Sequence, residues 1–396
     1  MSVGTPFHER TAPLNRKLAW GDWAGYAAAA AYADHHDIEY NAIRQAAALI
    51  DVSPLYKYLV SGPDAVRLVD RVITRDATRL QVGQVCYTPW CDERGKVIDD
   101  GTVARLDETS FRWTAADPCY RWLHMNTAGL DVDIRDVTDT VGALALQGPR
   151  SRAVLEQATG ADWSDVAYFR RRAATVAGIE IDVSRTGYTG DLGYELWVDA
   201  DRAPELWDAV IAAGTDHGLR PAGIRAMDVA RVEAGLILLE VDYTSARHAM
   251  TPEHEYTPFE IGLGRLVNLD KPDFVGRGAL AHDRDAGVPA RRLAGIELDW
   301  QGIEAAFGRH GLPPAVAATV NRDPIPIFYA GNQVGRATST CWSPTLKKMI
   351  ALASLGPGLR PDAPLDIEWS VEGERGRVAA RVVDLPFLDL ERRRTP

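Results

Sequence analysis

Apolar residues recur at helical spacing in several parts of the chain. Over residues 40–50 they return every three or four positions, and the run ends at DVSP, where Pro54 disfavours a helix. This pattern predicts a helix over 40–50. The same reasoning predicts further helices over 64–73, 149–160, 204–213 and 226–234.

Short apolar or alternating segments predict strands. Near the end of the chain, apolar and polar residues alternate over 365–371, residues 372–376 can turn and residues 378–385 can return, which predicts a β hairpin. Together with the segments 296–300 and 334–355, this hairpin predicts a small antiparallel domain after residue 290 or so. The other predicted strands lie at 58–62, 82–90, 95–106, 144–147, 182–185 and 195–198.

The composition is that of an ordinary globular protein, with 396 residues, 46% hydrophobic and 25% charged. This length suggests about two or three domains. Acidic residues outnumber basic residues by 55 to 44, which gives a formal net charge of −11 at pH 7. Such a charge does not attract phosphate backbones or acidic lipid, so we expect no nucleic acid and no membrane as partner.

The sequence shows neither a membrane span nor an apolar signal core near its first residues. Its longest apolar stretch, 23–33, is mostly alanine, is interrupted by glycine and falls short of the ~20 residues that a bilayer requires. We therefore expect a cytoplasmic protein. The four cysteines, at 86, 91, 119 and 341, form no C-x-x-C pair, which predicts reduced thiols and no structural zinc.

Common nucleotide-binding and catalytic motifs are absent. Glycines at 187, 190 and 193 are spaced G-x-x-G-x-x-G, which is neither the dinucleotide fingerprint nor a phosphate loop, so binding of nucleotide phosphates is not supported. The chain also lacks G-x-S-x-G and H-E-x-x-H. The histidine pairs 35/36 and 248/254 have no third ligand in register, so we interpret them as solvated or hydrogen-bonded and expect no metal.

The segment RTGYTGDLGYE has the composition of a loop that bends closely around a flat ligand. Its glycines are three apart, Tyr188 and Tyr194 lie among them, and Glu195 follows as the next strand begins. A carboxylate there can accept two parallel hydrogen bonds from an amidine-like edge, such as the 2-amino group and ring N–H of a pterin. A plain hairpin with an exposed glutamate is the alternative.

VIDDG places two carboxylates side by side. If the segment is a strand, Asp99 and Asp100 point to opposite faces, so only one of them can serve a given pocket. Burial among apolar neighbours would raise the pKa of the inward one and prepare it for proton transfer or charge stabilisation. A solvated turn explains the same residues equally well.

Arg231 and Glu233 lie two positions apart on a predicted helix, so they do not share a face. Arg231 can hold a carboxylate, and a glutamate tail carries such groups. A structural surface pair of Arg231 and Glu233 is the alternative.

Seven segments occur in an order typical of one enzyme family. In chain order they are IRQAAALIDVS, YTPWCDERGKVIDDGTV, ALQGPRSR, RTGYTGDLGYEL, AMDVARVEAGL, TPFEIGLGRLVNLDKPDFVGRGAL and TSTCWSPTLKKMIALASL. Through them the chain resembles the tetrahydrofolate-dependent aminomethyltransferase family. That family contains the glycine cleavage T-protein, dimethylsulfoniopropionate demethylase and folate-dependent aromatic O-demethylases, and the resemblance covers nearly the whole chain.

The resemblance implies an α+β fold, with three domains in a ring around a central tetrahydrofolate site and a small antiparallel barrel-like carboxy-terminal domain. It implies a folate-binding region over 1–285, made of two intertwined α+β domains, and a β-rich domain over 286–396. By position, Asp99 resembles the active-site aspartate near folate N5 and is the implied catalytic residue, while Glu195 resembles the pterin-binding glutamate. The implied cofactor contacts are Tyr87, Asp99, Tyr188, Glu195 and Arg231.

Four positions depart from sequences typical of T-proteins, namely Pro54, Thr114, Met227 and Arg265. Our main hypothesis is therefore transfer of a methyl group from a small O-, S- or N-methylated compound to N5 of tetrahydrofolate. T-protein-type aminomethyl transfer from a lipoyl carrier protein is the alternative within the same enzyme class. A non-catalytic folate-binding or iron–sulfur-assembly relative is the alternative from another class, but the stretch 185–191 lacks the cysteine typical of that branch.

In the methyl-transfer hypothesis, Asp99 positions N5 or helps to deprotonate it. Aromatic side chains are expected to hold the methylated substrate, in either a cation–π cage or a slot for an aromatic ring. The candidates for this role are Trp20, Trp23, Tyr26 and Trp113. Core or surface packing is the alternative for each of them.

Overall fold

The computed structural model describes residues 2–287, 289–317 and 319–395. Within these ranges, no helix has the length and apolar composition that crossing a bilayer requires. The helices, in chain order, are α1 (His8–Thr11), α2 (His36–Gln45), α3 (Ala65–Val72), α4 (Tyr120–Met125), α5 (Ser151–Thr159), α6 (Ala203–Gly214), α7 (Ile224–Glu233), α8 (Arg277–Ala286) and α9 (Trp300–Gly308).

The strands before residue 222 form three sheets. They are β1 (Val3–Gly4), β2 (Trp20–Trp23), β3 (Tyr26–Ala29), β4 (Ala47–Asp51), β5 (Tyr56–Ser61), β6 (Val85–Cys91), β7 (Val97–Arg105), β8 (Ser110–Ala115), β9 (Asp133–Asp136), β10 (Val141–Gln147), β11 (Arg171–Val176), β12 (Ile179–Ser184), β13 (Gly193–Asp199) and β14 (Leu219–Pro221). One sheet has six strands in the order β11-β12-β13-β10-β4-β14. A second has five, β6-β7-β8-β5-β9, and a third has three, β1-β3-β2.

The later strands close into an antiparallel barrel. They are β15 (Arg292–Leu298), β16 (Ile325–Tyr329), β17 (Asn332–Ser343), β18 (Lys348–Leu355), β19 (Pro364–Val371) and β20 (Glu374–Val383). Their order is β15-β18-β17-β16-β19-β20, and β20 pairs again with β15. Closure pairs each of these strands on both sides. The mixed helix-and-sheet class and the small antiparallel C-terminal barrel are thus confirmed.

The predicted hairpin at the end of the barrel is present, with a shorter turn than expected. Val371 pairs with Glu374, so the turn consists of Glu372 and Gly373 instead of the whole 372–376 segment. Both turn residues have positive φ, 50° and 80°. Two such residues match the right-handed twist of the flanking strands, which explains why the tight turn is preferred.

The predicted helix over 40–50 is wrong in its second half. Helix α2 ends at Gln45, Ala46 leaves the helical conformation, and Ala47–Asp51 forms strand β4. β4 lies inside the six-stranded sheet between β10 and β14. Because a strand covered on both faces is a continuous apolar run, its pattern resembles that of a buried helix.

The six-stranded sheet carries helices on both faces. On β10, Leu144 and Leu146 pack with residues of α5 and α6, whereas Ala143 and Ala145 pack with residues of α2 and α7. On β10, the large residues thus face one side of the sheet, and the alanines face the other. The side with alanine leaves room next to α7, where the candidate site lies.

Candidate active site

A cavity of about 300 Å³ lies between the six-stranded sheet, the five-stranded sheet and helix α7. Asp22 and Arg322, which are exposed, contribute to its lining, so they mark the rim where it meets solvent. Buried parts of the wall include apolar Ile50 and Trp197. A largely apolar cavity with a few polar groups has the character of a small-molecule site.

The two aspartates of β7 lie in different environments. Asp100 lines the cavity. Asp99 is fully buried and is not among the lining residues, and its carboxylate accepts hydrogen bonds from the backbone N–H groups of Ala116 and Asp117, each at 3.0 Å. The pleat of β7 therefore turns Asp100, and not Asp99, toward the cavity, and the catalytic role expected of Asp99 stays a prediction.

Two phenols hold the carboxyl group of Asp100. Tyr87 of β6 donates to one oxygen at 2.5 Å, and Tyr243 donates to the other. Burial raises the pKa of Asp100, while the hydrogen bonds from the two hydroxyl groups oppose the rise. For Asp99, burial and then the neighbouring carboxylate raise the pKa well above its usual range. A carboxyl group with a raised pKa in a closed site is suited to proton transfer.

Glu195 of β13 is a second acidic group in the cavity wall. Its Oε2 accepts hydrogen bonds from the hydroxyl groups of Thr186, at 2.5 Å, and Ser184, at 3.5 Å. Both hydroxyl groups donate to Oε2. Among the described residues, none donates a hydrogen bond to Oε1. Burial raises the pKa of Glu195, and the hydrogen bond from Thr186 opposes that rise. Oε1 is thus free to accept from a ligand.

The loop between β12 and β13 packs closely against the side chain of Gln147. A Cβ atom at Gly187 or Gly193 would lie 2.1 or 2.3 Å from that side chain, so a larger residue at either position would require Gln147 to move. Tyr188, which lines the cavity, donates its hydroxyl to the carbonyl of Ile237. Close packing of these two glycines against Gln147 sets the position of the loop, and their role around a flat ligand stays a prediction.

Arg231 lines the cavity, but its guanidinium is engaged inside the protein. Nε donates to Asp228 at 2.8 Å, and Nη1 donates to Asp242 at 2.5 Å. Glu233 pairs instead with Arg44 at 2.7 Å. The suggested surface pair of Arg231 and Glu233 is therefore absent, since both side chains are fully buried and each has another partner. Arg231 stabilises the cavity wall through two internal carboxylates.

Of the four aromatic residues expected at the substrate site, Trp23 lines the cavity and the other three do not. Trp113 is fully buried in the core beside the five-stranded sheet, with its ring centroid 4.9 Å from that of Trp90. Tyr26 is buried, and Trp20 packs against a histidine ring of α1. For these three residues the packing alternative describes the structure.

Several cavity residues were missed by sequence reasoning. Tyr168 lies between α5 and β11. Tyr243, which does not line the cavity but donates to Asp100, lies between α7 and α8 in a segment without periodicity. Arg393 belongs to a basic run near the end of the chain, where nothing in the pattern separates it from its neighbours. Long-range packing brings these residues together, so no local signal identifies them.

Two family models cover most of the chain. The model described as the GCVT N-terminal domain matches residues 8–271, and the model of the glycine cleavage T-protein C-terminal barrel domain matches residues 291–389. The chain belongs to the glycine cleavage T-protein family. The predicted family resemblance is thereby confirmed, and with it the prediction of a folate-dependent one-carbon transferase.

Similar proteins are named either aminomethyltransferase or trimethylamine-oxide aldolase. The aminomethyltransferase of Moorella thermoacetica is 36% identical over 353 residues, which cover 88% of this chain and 88% of that protein. The trimethylamine-oxide aldolase of Ruegeria pomeroyi is 34% identical over 408 residues, which cover 100% of this chain and 48% of that protein. This chain therefore corresponds to about half of that longer protein.

A solved structure of the family has the same fold. The crystal structure of the glycine cleavage system aminomethyltransferase T from Bartonella henselae aligns with a TM-score of 0.82 and 24% sequence identity. The alignment covers 98% of this chain and 99% of that chain. The T-protein fold, including the barrel, is thus shared over essentially the full length.

The cavity contains groups that fit the pterin end of a reduced folate. A pterin presents an amino group and a ring N–H on one edge, and Oε1 of Glu195 is an acceptor without a partner among the described residues. The flat ring system also requires apolar walls, which Trp197 and Ile50 provide. Asp100 adds a carboxyl group with a raised pKa in the same cavity.

Proposed function

We propose that this protein is a tetrahydrofolate-dependent aminomethyltransferase of the T-protein type. In this reaction the carbon of an aminomethyl group carried on a lipoyl sulfur forms bonds to N5 and N10 of tetrahydrofolate. Its C–N and C–S bonds break and the two N–H protons pass to the leaving groups, giving methylenetetrahydrofolate, ammonia and the reduced lipoyl thiol. The observation that carries the proposal is the presence in one cavity of Glu195, an acceptor for the pterin edge, and of Asp100, a carboxyl group held by two phenols. The aminomethyltransferase relatives support the same reaction type.

The residues in and around the cavity have separate roles in this reaction. Bound tetrahydrofolate supplies the nitrogen that accepts the carbon. Glu195 binds the N–H edge of the pterin and so orients the ring. Asp100 takes up or returns a proton at its carboxyl group and, when ionised, stabilises positive charge on an amine nitrogen in the cavity. Tyr87 and Tyr243 fix the orientation of that carboxyl group.

Transfer of a methyl group from a small methylated compound is a second candidate function. Of the four positions that depart from T-protein sequences, Thr114 and Met227 line the cavity. Trp23 also lies there and offers an aromatic face to a methylated cation. The relative from Ruegeria pomeroyi, of which this chain covers 48%, is named for a small methylated compound, and this favours a small methylated substrate here.

One assay separates the two functions. The protein is incubated with tetrahydrofolate and either aminomethyl-loaded lipoyl carrier protein or a panel of methyl ethers, sulfonium compounds and methylamines. Ammonia and methylenetetrahydrofolate from the loaded carrier are the result expected for aminomethyl transfer. Formation of 5-methyltetrahydrofolate from a panel compound, with no turnover of the carrier, would instead establish the methyltransferase. The Asp100→Asn protein serves as the control for cavity-dependent turnover.

A further inference from the structure

The C-terminal tail, residues 384–395, leaves the barrel after β20 and packs beside the cavity. Arg392 donates to both carboxylate oxygens of Asp191, at 2.7 and 2.9 Å. The backbone N–H of Leu388 donates to the carbonyl of the last residue of α7 at 2.9 Å. These contacts anchor the tail on two elements of the folate-binding region, so Arg393 has a defined position.

Arg393 contributes to the lining of the cavity, together with Tyr168. Its Nε donates to the hydroxyl group of Tyr168 at 2.8 Å, and its guanidinium lies 5.3 Å from the centroid of the same ring. Both side chains are half-buried. Tyr168 thus orients the guanidinium through Nε, and no described residue accepts a hydrogen bond from the two Nη groups.

Arg393 differs from the other arginines in the cavity lining because its guanidinium is not paired with a carboxylate of the described residues. Arg322 lies 2.8 Å from Asp228, and Arg231 is paired with Asp228 and Asp242. Within the described parts of the chain, no carboxylate lies within ion-pair distance of Arg393. A guanidinium without a counter-charge at the edge of a cavity attracts a carboxylate, with which it can form paired hydrogen bonds.

We propose that Arg393 binds a carboxylate in the glutamyl tail of reduced folate. This inference rests on the proposed function and extends it to the end of the ligand remote from the pterin. A reduced folate presents N–H donors at its pterin end and carboxylates at its glutamyl end. The cavity has the matching polarity, because Glu195 supplies an acceptor and Arg393 supplies donors. A carboxylate on the one-carbon donor has the same chemistry, so the experiment separates these two sources.

The experiment compares tetrahydrofolate with tetrahydropteroate, which keeps the pterin and aminobenzoyl groups and lacks the glutamate. Calorimetry measures both affinities for the parent, Arg393→Gln and the matched control Arg394→Gln. Arg394 is exposed, lies in the same tail and pairs with Asp389 at 2.7 Å. We expect Arg393→Gln to weaken tetrahydrofolate binding about tenfold, because it removes a charge-assisted hydrogen bond. Its affinity for tetrahydropteroate should equal that of the parent, and Arg394→Gln should change neither affinity.

The other outcomes overturn the inference. Equal weakening of both ligands would mean that Arg393 acts by packing of the cavity wall. Unchanged tetrahydrofolate affinity, with a raised KM for a carboxylate-bearing donor, would assign Arg393 to the donor. A parent protein that binds neither ligand would refute the proposed function and this inference together. Binding by the parent with no effect of Arg393→Gln would refute this inference alone.

Discussion

The guanidinium of Arg44 and the carboxylate of Glu233 form a buried ion pair that joins helix α2 to helix α7. Nη2 and Nε of Arg44 lie 2.7 and 3.0 Å from Oε2 of Glu233. The other carboxylate oxygen accepts hydrogen bonds from the hydroxyl groups of Tyr40 and Ser343. All polar positions of the carboxylate are thus directed to partners, and the pair sets the spacing of the two helices behind the cavity.

Loss of one partner of this pair should cost far more stability than loss of a surface pair. Arg44→Met leaves the Glu233 charge buried, and we expect the free energy of unfolding to fall by about 3–5 kcal/mol. Addition of Glu233→Gln to Arg44→Met should recover part of that loss. Denaturant titration of the parent, the single variants and the double variant measures the coupling.

Arg202 and Glu205 provide the matched surface pair, with 2.6 Å between nitrogen and oxygen and both side chains exposed. Arg202→Met should change the free energy of unfolding by less than about 1 kcal/mol. Equal losses for Arg44→Met and Arg202→Met would contradict the importance given to burial.

The second prediction concerns the adjacent aspartates of β7. Asp100→Asn should reduce the turnover number by about 10²-fold or more, because it removes the titrating group from the cavity, with a smaller effect on folate affinity. Asp99→Asn should mainly reduce stability, by about 1–3 kcal/mol, since its amide would oppose a backbone N–H donor. Single-turnover rates and denaturant titrations distinguish the two effects. A larger rate loss for Asp99→Asn than for Asp100→Asn would return the catalytic assignment to Asp99.

The third prediction tests Glu195 as the pterin acceptor. Replacement of Glu195 by Gln exchanges one acceptor for a donor and should weaken tetrahydrofolate binding by about 1–3 kcal/mol. Calorimetry with reduced folate gives the value. Glu205→Gln, on the exposed side of α6, is the control and should bind like the parent. Equal affinity for the parent and Glu195→Gln would remove Glu195 from the ligand site.

The fourth prediction follows from the buried ammonium group of Lys57. Its Nζ donates to the carbonyls of Ser53 and Leu55 at 2.5 and 2.8 Å, and burial lowers its pKa from 10.5 to about 8. The folded protein therefore releases this proton at lower pH than the unfolded chain does. Between these two pKa values the unfolded state binds more protons, so stability should rise with pH.

Comparison of the parent with Lys57→Met isolates this contribution. The difference in unfolding free energy should shift in favour of the parent by up to about 3 kcal/mol as the pH rises from 8 to 10.5. Lys17→Met, at an exposed position, should show no such shift. A difference between the parent and Lys57→Met that stays constant over this range would show that the pKa of Lys57 is unshifted.

The sequence predicted secondary-structure elements correctly where one face is buried and the other is exposed to solvent. Helix α3 was predicted for this reason, since its buried residues recur at a helical period. Strands β6 and β7 were predicted instead from the acidic turn between them. β4 was missed because the residues on both of its faces are covered. Alternation also predicted that the side chains of Asp99 and Asp100 would diverge. It could not tell which one meets the cavity, because that depends on the position of a second sheet.

The residues at the rim of the cavity could not be predicted from local sequence patterns. Arg393 is placed by the ion pair of its neighbour Arg392 with Asp191, a contact between residues 201 positions apart in the chain. No periodicity encodes such a contact, and only the packed fold reveals it. By contrast, Glu195 follows a glycine loop with a recognisable pattern, which left a ligand-binding carboxylate and a plain hairpin open, and the family resemblance favoured the first.

The cavity draws its lining from Asp22 at one end of the sequence and from Arg393 at the other. During translation the earlier residues leave the ribosome first, and the sheets they form can fold before the barrel has been made. The rim, however, lacks its uncompensated cation until the tail emerges and Arg392 reaches Asp191. Full ligand affinity should therefore arise only after residue 393 has been made, so that a nascent chain with its first sheets already folded is still unable to hold its ligand at both ends.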